Sequence, residues 1–303
     1  MSDGEITDVE KGDRNGDKND NEVCNPSSTV VILQKLIAEV IGTYFVIFCG
    51  CGSVAVNKIY GSVTFPGIAV VWGLIVMVMV YSVGHISGAH FNPAVTITFA
   101  IFRQFPAKQA SFSIHFIFFL PNTKFSRENL CFIFMHGGLL TSTLVPSYIL
   151  AQLLGSILAS GTLCLLLDVN DDAYFGTIPV GSHIRSFVIE IIISFLLMFV
   201  ISGVATDNRS IGELAGIAVG MTILLNVFVA GPVSGASMNP ARSIGPALVM
   251  MKFKGIWIYI VGPLIGTIMG GFAYNLIRFT DKPLRELTRS GSFLKSFSRK
   301  NPQ

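Results

Sequence analysis

The chain has 303 residues, of which 51% are apolar and only 13% charged, with a mean hydropathy of +0.64 and a formal net charge of +3. That balance excludes an ordinary soluble domain and identifies an integral membrane protein, in which the place of each Lys and Arg relative to the bilayer matters more than their sum. Nothing in the charge implies a nucleic-acid partner. Cys24, Cys49, Cys51, Cys131 and Cys164 form neither a CxxC pair nor a zinc-spaced Cys/His cluster, so they read as small apolar residues and no metal or other cofactor is expected.

Residues 1–32 are rich in Asp, Glu, Asn, Lys and Gly and lack the apolar content to form a core, which predicts a disordered acidic tail. The first apolar run begins only near Val31, too late for a signal peptide. Runs of the length needed to cross ~30 Å of hydrocarbon follow at 36–56, 67–83, 148–167, 187–205, 214–229 and 256–277. Two further apolar stretches, 92–102 and 239–250, are about half as long. Each starts at one copy of a repeated segment, SGAHFNPAVT from Ser87 and SGASMNPARS from Ser234. Asn-Pro-Ala opens a helix well, with Asn as N-cap and Pro in the first turn, where its missing N–H costs nothing. The prediction is an all-α membrane protein of six transmembrane helices and two re-entrant half-helices.

A helix that starts inside the membrane exposes backbone that is tolerated only within protein or beside an aqueous cavity. The two loops therefore line a path. Three spans per half, with a half-helix after the second span of each, make an inverted repeat that brings both Asn-Pro-Ala starts to the midplane. On this topology sixteen Lys and Arg share one side, including Lys11, Lys35, Arg103 and the seven from Arg278 to Lys300, against Lys58, Arg185, Lys252 and Lys254 on the other. Both termini are then cytoplasmic. The sequon Asn208-Arg209-Ser210 falls in a cytoplasmic loop and is expected to stay unglycosylated.

At the centre, Asn92, Pro93 and Ala94 face Asn239, Pro240 and Ala241. The amides of Asn92 and Asn239 donate to a passing oxygen, and the two helix dipoles, about half a charge each, disfavour cations. Capping alone would also explain these asparagines, although capping fixes the amides where a solute meets them. Arg242 follows the second motif, where the first carries Val95. An Arg at membrane depth is expensive, and by default it has a function. Glu39 and Glu190 occupy comparable places in spans one and four. Buried carboxylates need donors and bent loops need acceptors, so the two are assigned to loop support rather than proton transport. His85 and His90, beside the first motif, read as structural.

SVGHISGAHFNPAVT together with GPVSGASMNPARSIGPA resembles the major intrinsic protein (aquaporin) family over roughly 33–277. WGLIVMVMVYSVGHISGAH, GMTILLNVFVAGPVSGASMNPARS and the TRSGSFLK tail resemble the plant nodulin-26-like intrinsic proteins, first subgroup. The resemblance implies an aquaporin-like inverted repeat that assembles as a homotetramer in a plant membrane, the plasma membrane or an internal one. It also implies an aromatic/arginine filter, carried over by distance from the motifs onto Trp72, Val227, Ala236 and Arg242. Such a filter implies passage of water, glycerol and small neutral metalloid acids such as arsenous acid, with Trp72 as an apolar wall opposite the Arg. Ser243, Ala247, Tyr259 and Ile260, which separate water from glycerol channels in the family, give a mixed signal. Ser292, in a basic tail spanning 278–303, matches the phosphorylated serine of the subgroup's tail and makes a kinase a candidate partner beside anionic lipid.

One segment departs from the family. FPAKQ and VPSYIL, adjacent in such proteins, are here separated by residues 110–144, which hold seven of the chain's 24 Phe and no regular period. A retained intron or gene-model error is expected to account for it, with the insert kept on the cytoplasmic side or at the interface. Two other readings stand beside the channel. One is a non-conducting form in which the insert spoils the pore, and the other is a secondary transporter, for which no coupling acid is visible. An enzyme is not expected, because no nucleophile-base pair occurs.

Overall fold

The computed structural model describes residues 28–104, 138–207, 210 and 212–278. Eight α-helices appear among them: α1 (Ser28–Tyr60), α2 (Thr64–Ser87), α3 (Pro93–Gln104), α4 (Gly138–Leu167), α5 (His183–Thr206), α6 (Ala215–Ser234), α7 (Pro240–Val249) and α8 (Ile258–Arg278). Six of them are long and apolar enough to cross a membrane; α3 and α7, with 12 and 10 residues, are not. No strand occurs among the described residues. The tail to residue 27, residues 105–137, Asn208, Arg209, Ile211 and the segment from 279 onward, with Ser292, lie outside the described residues.

Helix boundaries depart from the sequence reading in three places. α1 begins at Ser28, inside the segment assigned by composition to the tail, because the Val30-Val31-Ile32 run continues its apolar face. α4 begins at Gly138 and takes in residues 138–144 of the insert. Pro146 sits inside the helix, where it forfeits a single backbone bond while the turns on either side persist. α6 likewise runs through Pro232 to Ser234, directly into the second pore loop.

The spans are built inside out. On α4, Leu150, Leu154 and Leu158 face outward, whereas Gln152, Ser156 and Ser160 on the opposite face are fully buried. Lipid offers leucine as good a solvent as a core does, so interhelical contact goes to small and polar side chains instead. Gly155 on α4 lies against the backbone of α1 at Val40, and Gly266 and Gly270 on α8 lie against α5 at Ile191 and Phe195. α1 packs on α2 and α4, α5 on α6 and α8, and α2 on α6 across the centre. Each half-helix crosses to the other half, α7 onto α4 and α3 onto α8. This exchange locks the repeats together and sets the two half-helices tip to tip.

Candidate functional site: the paired pore loops

Each pore loop leaves its span through a glycine. Gly88 and Gly235 sit at φ 93° and 82° and close α2 and α6 with N–H bonds to Gly84 O and Gly231 O. This left-handed cap is cheap only for glycine. The loops then do what side-chain-bearing residues resist: Ala89 and Phe91 in the first, and Ala236 and Met238 in the second, stand at φ between 48° and 54°. Each such residue costs on the order of 1–3 kcal/mol and needs surroundings that hold it.

Buried carboxylates hold them. Glu39 accepts from Ser87 Oγ (2.7 Å) and His90 N (3.0 Å) on one oxygen, and from Phe91 N and Gln152 Nε2 (both 2.8 Å) on the other. Glu190 accepts from Ser234 Oγ (2.6 Å) and Ser237 N (2.8 Å), and on its other oxygen from Met238 N (2.9 Å). Both carboxylates are fully buried, and every one of these partners is a donor, so ionised oxygens satisfy the loops completely. Tyr148 and Tyr259 complete the match by donating to Ser87 O and Ser234 O.

At the tips, Asn92 Oδ1 accepts from Ala94 N (2.9 Å), and Asn239 Oδ1 accepts from Ala241 N (2.9 Å) and Arg242 N (3.4 Å), so both asparagines cap their half-helices. Each amide also donates to the other loop: Asn92 Nδ2 to Met238 O and Asn239 Nδ2 to Phe91 O, both at 2.8 Å. This refines the expectation of two free amides. One N–H of each amide ties the two loops together. Pro93 and Pro240 open the half-helices, and the carbonyls of Ala94 and Ala241 receive Thr267 Oγ1 (3.4 Å) and Ser156 Oγ (2.6 Å) from the third span of the opposite half.

A cavity of about 60 Å³ runs past these tips. Trp72, Asn92, Ala236, Asn239 and Arg242 line it, with Val46 and Leu197 as matching walls from α1 and α5. Val227, the remaining member of the expected filter, is buried in the same apolar cluster as Trp72 and Ala236. The guanidinium of Arg242 lies over the indole ring of Trp72 at 4.9 Å from its centroid, a placement in which a desolvated cation gains from the negative ring face. Arg242 donates from Nη2 to Gly235 O at 3.5 Å, while its buried Nε and Nη1 have no protein acceptor. Buried donors of that kind call for an oxygen ligand.

The chain after α4 is tied to the end of α1, to α7 and to the segment that follows α7. Lys58 Nζ donates to Tyr174 O (2.8 Å), Lys252 pairs with Asp171 (2.9 Å), and Thr177 Oγ1 donates to Ser243 Oγ (2.7 Å), which also shares a bond with Ser237 Oγ. Burial pushes the Tyr174 hydroxyl up to about 12 against the downward pull of Arg242, so it stays a donor at neutral pH. His90 bonds Thr96 Oγ1 through Nδ1 and stacks with Phe99 and Tyr148. Sequence reading missed Ser87 and Ser234, although the repeated Ser-Gly-Ala was a visible signal. Gln152, Tyr148 and Tyr259 carry no such local signal, because they come from spans far away in the chain.

A family model described as major intrinsic protein matches residues 26–117 and 130–274. Over 295 residues the chain is 65% identical to the probable aquaporin NIP-type of Nicotiana alata, covering 96% of each. Over 282 residues it is 53% identical to nodulin-26 of Glycine max, covering 92% of this chain and 91% of that protein. The fold is similar to the aquaglyceroporin from Plasmodium falciparum, with a TM-score of 0.62 at 23% identity, covering 84% of this chain and 99% of that one.

Proposed function

The chain belongs to the major intrinsic protein family, the family of the aquaporin channels, and from that premise we propose that it is a passive channel for water and small uncharged solutes, including glycerol and neutral metalloid acids such as arsenous acid, that excludes ions and protons. The observation that carries this reading is the pair of strained loops tied tip to tip by Asn92 and Asn239 beside a cavity that also holds the unpaired donors of Arg242. A water at the tips meets donors from both sides and can only accept. That breaks the chain of alternating bonds a proton needs, and the two helix N-termini oppose a cation. At the outer end, Arg242 supplies donors for solute oxygens, and the indole of Trp72 and the small Ala236 give carbon edges an apolar surface. Val227, packed in the same buried cluster as Trp72 and Ala236, completes that surface.

Apolar outward faces on all six spans allow four copies to associate, each with its own pore. The excess of Lys and Arg on one side supports a topology with both termini in the cytoplasm of a plant cell, where Ser292 would meet a kinase. The test is stopped-flow light scattering on vesicles carrying the full chain, with shrinkage in sorbitol for water and swelling in glycerol for solute. A parallel sample lacks residues 110–144. The full chain is expected to raise both permeabilities without saturation or counterflow. Conduction by the shortened chain alone would instead establish the insert as a block, and saturable ion-coupled uptake would make the protein a carrier.

A further inference from the structure

The wall of the constriction depends on a residue that never touches the solute. Gly50 on α1 lies against Trp72, and a Cβ built there would sit 2.5 Å from each of Cε3, Cζ3 and Cη2. Three equal distances place the bare glycine under the flat of the six-membered ring. Eight residues earlier on the same helical face, Gly42 lies against the ring of Phe91, whose carbonyl holds Asn239. Between the two, Val46 lines the cavity.

The second half of the repeat solves the same packing problem the opposite way. Ile201 stands eleven residues after Glu190 as Gly50 stands eleven after Glu39, and Val219 stands twenty before Asn239 as Trp72 stands twenty before Asn92. A glycine with an indole is thus exchanged for an isoleucine with a valine. The exchange recurs one turn pair away, where Gly42 with Phe91 is matched by Ile193 with Met238. Interiors packed to crystal density require such compensation. It makes α1 the helix that yields space and α2 the one that uses it, at the end of the pore where Arg242 stands.

We infer that Gly50 is a specificity-determining residue of this channel, one that sets the width of the constriction by fixing how far Trp72 stands back from Arg242. The inference rests on Trp72 and Arg242 acting as the solute filter. To move from 2.5 Å to the 3.4 Å at which ordinary contact begins, the indole must shift by about 0.9 Å away from α1. Arg242 lies over that ring and lines the same cavity, so a side chain at position 50, pressing on the ring from α1, narrows the opening through it. Water, the smaller permeant, loses less than glycerol.

The experiment measures water and glycerol permeability per channel, normalised to protein incorporated, for wild type, Gly50→Ala, Trp72→Ala and the double variant. Gly50→Ala is expected to lower the glycerol-to-water ratio at least about fivefold, the lower end of what an overpacked contact costs. In the Trp72→Ala background the same substitution is expected to leave the ratio unchanged, since no ring remains to be moved. Equal losses of water and glycerol in Gly50→Ala, or an undiminished effect in the double variant, would overturn the inference. If Trp72→Ala by itself leaves the ratio at the wild-type value, the filter reading fails, a result distinguishable from failure of Gly50 alone. Should Gly50→Ala fail to incorporate, Gly50→Ser with Trp72→Phe supplies the comparison, and recovery of glycerol flux over Gly50→Ser with Trp72 intact is the expected result.

Discussion

Replacing Glu190 by Gln tests whether a buried carboxylate holds the second pore loop in its strained form. Glu190 accepts three hydrogen bonds, from Ser234 Oγ, Ser237 N and Met238 N. A glutamine presents one oxygen and one NH2, so whichever way it turns, at least one buried backbone N–H faces a donor. Loss of a charge-assisted bond with an N–H left unpaired costs about 2–4 kcal/mol. Met238, held at φ 54°, is then free to relax, and its carbonyl releases Asn92. Glu39→Gln provides the internal comparison. It receives four donors, but one of them is Gln152, whose buried Oε1 has no partner. Glu39→Gln also leaves one backbone N–H, of His90 or Phe91, facing a donor. Gln152, however, can turn its oxygen toward the new amide, giving up its 2.9 Å bond to Thr96 Oγ1, and Glu190 has no such neighbour because the matching position in the other half is Pro263. Glu190→Gln is therefore expected to lower thermal stability in detergent and water permeability per channel more than Glu39→Gln, by about 1–3 kcal/mol in stability. The measurements are a thermal unfolding scan and stopped-flow shrinkage on the same preparations. Wild-type stability and conduction in Glu190→Gln, or a larger loss in Glu39→Gln, would refute the reasoning.

Arg242→Val removes the fixed charge and the unpaired donors while leaving the loop ties intact. It is expected to admit a proton or cation leak, read with a pH-sensitive dye under an imposed potential, while water still passes. Ser156→Leu removes the 2.6 Å bond to Ala241 O and drives bulk into the place where Gly245 touches Ser156; a stability loss of about 1–3 kcal/mol and poor incorporation are expected. Leu154→Val, on the outward face of the same helix, should be near neutral in the same scan. Expression in a glycosylating host is expected to give no mobility shift on enzymatic deglycosylation, since a glycan on Asn208 would place that loop on the outer side.

The sequence alone determined the six spans, the two half-helices and the pairing of the repeats, because each follows from the length of an apolar run or from a motif read within ten residues. It also determined that Glu39 and Glu190 need donors and that Arg242 needs a partner, since charge at membrane depth is costly wherever it points. Its runs at 148–167 and 214–229 fall short of α4 and α6, because the length of an apolar run says nothing of the packing that carries a helix through Pro146 and Pro232. Only the tertiary structure decided which donors answer Glu39, that the Asn92 and Asn239 amides bind each other's loops, and that the Arg242 guanidinium lies over the Trp72 indole. These outcomes depend on side chains from α1, α4 and α8 that are remote from the motifs in sequence. In lipid, where apolar burial exerts little directional pull, such polar ties and the bare glycine faces beneath them fix the pore's shape.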